Sequence, residues 1–152
     1  LAQYLLPTEK NMGHEHGALQ TRNSTYHNEW GLSLVENHKL VMPGHLNQFA
    51  YLFGGNLLKW VDEHAWISAS LDYPECNFVT IGMDKVEFKK SVKEGTILKF
   101  ITQKTKVGRT SVRYMVEVFR GNKGSVPEDL VFSTHVTFVN IDLDGRKAQL
   151  AE

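Results

Sequence analysis

Only one long stretch of this chain reads as helix, and almost everything after it reads as strand. From Gly55 the text runs GNLLKWVDEHAWISASL, and Leu58, Val61, Ala65 and Ala69 recur at helical spacing on one face. Trp60, His64 and Ile67 make a second, partly apolar face. A helix apolar on two sides belongs at the centre of a domain or at a subunit contact. Tyr73-Pro74 ends it. Four strand-like segments follow, at about residues 78–89, 96–106, 109–120 and 130–141, rich in Val, Thr, Ile and Phe. Val107-Gly108 predicts a tight reversal, and Gly121 to Gly124 a looser one. A further strand, Glu36 to Met42, precedes the helix and is closed by Pro43-Gly44. This order implies an α+β domain, with an antiparallel sheet of about five strands wrapped on one buried helix.

With 152 residues, the chain can bury one sizeable core. Residues 1–30 carry no sustained period and read as an irregular extension with one short helix, leaving 31–152 as the domain. Lys+Arg and Asp+Glu both number 17, so bulk attraction to nucleic acid or an anionic membrane is not expected. Cys76 is the single cysteine, which excludes an intrachain disulfide or thiolate cluster. It points to a reducing compartment, and the expected location is cytoplasmic. No apolar run approaches a membrane span, and the start LAQYLLPTEK does not read as a signal peptide. The chain begins without Met, so a targeting segment lost ahead of Leu1 stays open.

One residue stands out on the helix. Asp62 lies only about 40° from Leu58, between Leu58, Ala65 and Ala69, on the apolar face. Glu63 points off that face and can pair with Lys59. Asp62 has two readings. It is either a rim residue bonded to a strand threonine or backbone N–H, or a catalytic carboxylate in a partly dry groove. Gly54-Gly55 at the helix start favours the second, because substrate can approach the backbone there and free N–H groups can stabilise an oxyanion. So does Asn47, a neutral amide that could orient a carbonyl or a water.

The stretch VMPGHLNQFAYLFGGNLLKWVDEHAW resembles the signature of the acyl-CoA hydrolases of the hotdog superfamily, the YciA-type and brain acyl-CoA hydrolase group. VEFKKSVKEGTIL and KVGRTSVRYMVEVF resemble that family's next two strands, and FSTHVTFVNIDLDGR its last strand and closing turn. The likeness runs in order over about residues 36–147. It implies a hotdog fold paired into a dimer with two sites at the interface; the second apolar face of the helix adds the expectation that dimers build further into a tetramer or hexamer. It also implies hydrolysis of fatty acyl-CoA to free acid and coenzyme A, without metal or organic cofactor. By position, Asp62 matches the family's catalytic carboxylate and Asn47 its catalytic asparagine, contributed by the opposite subunit. Gly54 and Gly55 would supply the oxyanion N–H groups. Arg109, Thr110 and Ser111 match a segment associated with binding coenzyme A. Two departures stand out: Ala50 where many relatives have Gly, and Gly44-His45-Leu46 in place of more polar residues.

Other candidates are weaker. His14-Glu15-His16 could ligate a metal but reads more simply as exposed polar tail. His64 is expected to pack, His135 to sit in a strand, and Cys76 to be structural. No Gly-x-Ser-x-Gly elbow exists. Lys85, Lys89, Lys90 and Lys93 are either a solvated strand edge or a contact to coenzyme A phosphates. Two alternatives stay open: a hotdog dehydratase, for which His45 could partner the carboxylate, and a non-catalytic acyl-CoA sensor.

Overall fold

In the computed structural model, residues 25–27, 33–121 and 129–151 are described. Most of the expected N-terminal extension, including His14-Glu15-His16, and most of the turn after Gly121 lie outside them. The elements in order are strands β1 (Thr25–His27) and β2 (Ser33–Leu40), a 3-10 turn (Pro43–His45), helix α1 (Gly54–Asp72), then β3 (Phe78–Phe88), β4 (Ile97–Val107), β5 (Ser111–Arg120) and β6 (Asp129–Asn140). Thr25–His27 falls in the stretch expected to be irregular, yet it pairs with β2.

All neighbouring strands are antiparallel, in the order β1-β2-β4-β5-β6-β3. The chain leaves the sheet after β2 and returns at β3 on the far edge, and α1 spans that gap across the sheet face. Alternation decides which side chains meet it. Leu98, Phe100, Val112, Tyr114, Val116, Phe132, Val136 and Phe138 are buried beneath the helix. Each Phe or Val sealed in this way contributes roughly 1.5–3 kcal/mol. The opposite sheet face carries half-exposed Gln103, Arg113, Glu117 and His135. No described helix is long and apolar enough to cross a membrane.

The buried side of α1 consists of Leu57, Trp60, Val61, Ala65, Ser68 and Ala69. This corrects the expectation that Trp60 lies on a second face. The indole turns inward, where His45 meets it edge-on at 4.8 Å and Lys39 Nζ lies 5.3 Å from its centroid. Further along, small Ala65, Ser68 and Ala69 let the helix lie close to the sheet. The outward apolar residues are Trp66, Ile67 and Leu71, at 44%, 36% and 61% exposure. At the far end, Tyr114 O–H donates to Asp72 (2.6 Å), which also pairs with Lys104 (3.1 Å). This network pins the last turn of α1 to the middle of the sheet. Burial and the adjacent Asp72 carboxylate push the Tyr114 hydroxyl well above the usual phenol range.

β3 is one of the two edge strands of the described sheet, with β1 at the other side, and among the described strands it pairs only with β6. It carries two bulges, between Thr80 and Gly82 and between Asp84 and Glu87, the second containing Lys85 at φ 52°. Val79, Ile81, Val86 and Phe88 along it are 39–57% exposed.

Candidate active site

The loop from β2 to α1 is held by its own backbone. Asn47 N–H donates to Tyr51 O (2.7 Å), and Ala50 N–H to Asn47 O (3.1 Å). The Asn47 side-chain carbonyl accepts from Phe49 N–H (2.9 Å) and Tyr51 N–H (3.2 Å). Its oxygen is thus committed to shaping the loop, and its NH2 group is the part left to act as a donor. Ala50 sits at φ 61°. That left-handed conformation is costly for any residue with a Cβ, which gives a physical reason for glycine at this point. The loop docks on its surroundings through Leu52 N–H to Val92 O (2.7 Å) and Phe53 N–H to His45 O (2.9 Å).

Gly54 and Gly55 open α1, with Phe53 as an N-cap that gives no side-chain bond. The first intrahelical donors are Asn56 and Leu57, both bonding to Phe53 O. The N–H groups of Gly54 and Gly55 precede them, at the positive end of the helix dipole. Gly55 leaves room for the exposed Phe53 ring beside it. A Cβ there would stand 2.5 Å from the Phe53 ring. Asn47, Gly54, Leu57, Phe88 and Lys90 line a cleft of about 350 Å³. Lys90 pairs with Asp129, and Lys89 with Glu87 at 2.7 Å.

Asp62 does not point into the centre of the sheet. It is half-buried at the flank of α1, and Thr80 Oγ1 on β3 donates to its Oδ1 at 2.7 Å. One turn on, Trp66 Nε1 donates to Phe78 O (3.1 Å), so both side chains reach over the edge strand. The sequence reading anticipated a strand threonine as partner but did not single out Thr80. Its only signal was a small hydroxyl at alternate spacing from buried Phe78. His45, Lys39, Lys59, Trp60 and Trp66 share the groove beside Asp62. Glu63 is exposed in the same groove.

Arg109, Thr110 and Ser111 form the reversal from β4 into β5, closed by Gly108 N–H to Ser111 O (2.7 Å). Thr110 O accepts from Asn140 N–H (2.9 Å) and Arg109 O from Leu150 N–H (3.0 Å), so the closing segment is stitched to this turn. Arg109 is exposed and lines a third cleft of about 360 Å³ with Tyr73, Gln149 and Leu150. From Asp62 to Tyr73 is about 16 Å of helix. Within one chain, therefore, Asn47, Asp62 and Arg109 occupy three separate clefts.

His64, His135 and Cys76 each make contacts within the fold. The His64 ring lies 4.6 Å from Phe100 beneath the sheet. Burial, the largest influence, holds its pKa below the ordinary 6.5, opposed by Glu63 and aided by Lys39. His135 lies in β6 near Asp84 (3.8 Å), lowered first by burial and then by Arg113 and Lys85. Cys76 Sγ accepts from Ala151 N–H at 3.4 Å. Among the described residues, no group of His, Cys, Asp or Glu is arranged to hold a metal ion.

Comparison with known proteins places this geometry in a family. The family model of the Thioesterase superfamily matches residues 49–127. An uncharacterized acyl-CoA thioester hydrolase of Zymomonas mobilis is 32% identical over 111 residues, 73% of this chain and 74% of that one. A Staphylococcus aureus acyl-CoA hydrolase solved with butyryl coenzyme A, coenzyme A and coenzyme A disulfide superposes with TM-score 0.70. It has 27% identity and covers 77% of this chain and 71% of that one. The same enzyme has been solved with alanine replacing an aspartate, a threonine and an asparagine. A hexameric hotdog fold thioesterase of Campylobacter jejuni is 34% identical with TM-score 0.66, covering 76% of this chain and 88% of that one. One long helix laid across an antiparallel sheet, with family similarity over most of its length, makes this chain a hotdog-fold member of the thioesterase superfamily.

Proposed function

We propose that this chain is an acyl-CoA thioester hydrolase that releases a fatty acid and coenzyme A. One observation carries the reading. The half-buried Asp62 carboxylate is held by Thr80 on an edge strand of the described sheet, beside an open groove. Its separation from Asn47 equals that between the mutated asparagine and aspartate of the S. aureus enzyme. The mutated threonine there follows at the spacing of Thr80 to within one residue.

In the proposed reaction Asp62 acts as general base on a water that displaces coenzyme A from the acyl carbon, or attacks the thioester carbonyl directly, expelling coenzyme A thiolate and forming a transient mixed anhydride that water then hydrolyses to the fatty acid. Thr80 holds one carboxylate oxygen, so the other faces the reaction. Asn47 donates its NH2 to the carbonyl oxygen, because its own oxygen is already used in the loop. The N–H groups of Gly54 and Gly55 stabilise the oxyanion. Arg109, with Thr110 and Ser111, holds the nucleotide phosphates of coenzyme A.

Asn47 and Asp62 lie in different clefts of one chain, which supports a site shared between two subunits. The partner would pair along β3, whose second edge and exposed Val79 and Ile81 call for cover. The hexameric relatives favour three such dimers over a tetramer. The lone Cys76 fits a reducing compartment such as the cytoplasm.

Incubation with palmitoyl-CoA and butyryl-CoA in the presence of a thiol reagent tests the activity. Wild type should release coenzyme A, and Asp62→Ala should release it about 10²–10⁴-fold more slowly. Glu63→Ala should be far milder. Tight binding without thiol release would favour the sensor, and an enoyl thioester product the dehydratase.

A further inference from the structure

The bend that starts the Asn47 loop is tied twice between the same two residues. His45 N–H donates to Met42 O at 3.0 Å, and Met42 N–H donates to His45 Nδ1 at 3.0 Å. The first bond closes the 3-10 turn, and the second is the returning half of a capping box, with an imidazole in the place of a carboxylate or amide. A backbone N–H can only donate, so Nδ1 must carry the lone pair and Nε2 the proton. The ring stands edge-on against Trp60, itself 6% exposed, with 84° between the planes. The His45 carbonyl accepts from Phe53 N–H (2.9 Å) and Asn56 Nδ2 (3.1 Å), at the first turn of α1. One residue thus joins the entry of the loop, through its side chain, to the start of the helix, through its carbonyl. Asn47 lies two residues further on.

We infer that His45 is a positioning residue whose neutral imidazole holds the Asn47 loop against the start of α1, and whose protonation releases it. The inference rests on the role proposed above for Asn47. A protonated ring presents N–H at both nitrogens. At Nδ1, donor would then face donor, the Met42 bond would be lost, and the ring would turn away from Trp60. Among the described residues, the charged groups that line the groove with His45 are Lys39 at the end of β2, and Lys59, Asp62 and Glu63 on α1. The cap exists only with the neutral ring, so it is complete on the alkaline side and lost as pH falls.

Asparagine supplies the control. Its Oδ1 occupies the same branch position as Nδ1 of histidine and accepts at every pH. The experiment measures kcat and KM for butyryl-CoA from pH 5 to 8 for wild type, His45→Asn and His45→Phe. Amide exchange across residues 42–53 is followed in parallel and corrected for the intrinsic pH dependence of exchange. Wild type should lose about tenfold more kcat than His45→Asn on acidification, the worth of one hydrogen bond, with KM little changed. Loop exchange should quicken in acid in wild type only. His45→Phe, which fills the space without capping, should be slow and poorly protected at every pH. An acid limb of the same size in wild type and His45→Asn, or loop protection indifferent to pH in wild type, would overturn the inference. A wild type that hydrolyses no thioester at any pH, yet opens this loop in acid, would uphold the imidazole switch and sink the proposed activity instead.

Discussion

At the scale of single residues, environment separates groups that look alike in the sequence. Asp62 and Glu63 are neighbours, yet only Asp62 is half-buried with a fixed donor from the edge strand. Arg109 is exposed at a turn remote from Asp62, where contact with a nucleotide phosphate would add mostly uniform binding. Arg109→Ala should therefore raise KM more than it lowers kcat. That effect should shrink with a thioester lacking the nucleotide, and steady-state kinetics on both substrates checks it. His64 predicts a pH effect on stability. Burial keeps its folded pKa below 6.5, so the unfolded chain takes up a proton first as the pH falls. The stability of the neutral, packed ring is complete above 6.5 and declines as pH drops toward the folded value. His64→Leu should lose less of its urea midpoint between pH 7 and pH 5 than wild type. Part of the acid loss will persist, because His135 is shifted in the same direction.

At the scale of elements, the sequence was legible wherever period and burial agree. β4 and β5 alternate cleanly, and their buried residues are those a two-residue period selects. α1 was legible in extent but not in rotation. Helical spacing allowed an apolar stripe through Leu58 or through Leu57 and Trp60, and packing against His45 and Lys39 decided for the second. The partnership of Asp62 with Thr80 was hidden because it joins residues on different elements across the sheet edge. The loop before α1 was legible as a motif but not as a geometry. Ala50 was a departure from the family pattern, and only the fold reveals that the position has φ 61°. Ala50→Gly should relieve that strain and raise stability by up to about 1 kcal/mol, the greater backbone freedom of glycine offsetting part of the gain. Urea unfolding measures it, and a loss of stability would mean that the Ala50 methyl packs favourably.

At the scale of the whole molecule, the single chain is complete as a core, and the proposal is that a second subunit completes its site. Its helix and sheet seal one another, yet the candidate catalytic groups line separate clefts and, among the described residues, the edge strand beside Asp62 has no second neighbour. The central claim is that two subunits join along that edge and bring Asn47 of one to Asp62 of the other. Mixing Asn47→Ala with Asp62→Ala subunits, after dissociation and re-association, tests it most directly. Each variant alone should be nearly inactive. In the mixture, heterodimers carry one site with both groups intact and one with neither, so thioesterase activity should return to about a quarter of wild type if subunits pair at random and each site works independently. A mixture that stays as inactive as its parents, although the subunits have exchanged, would contradict the account.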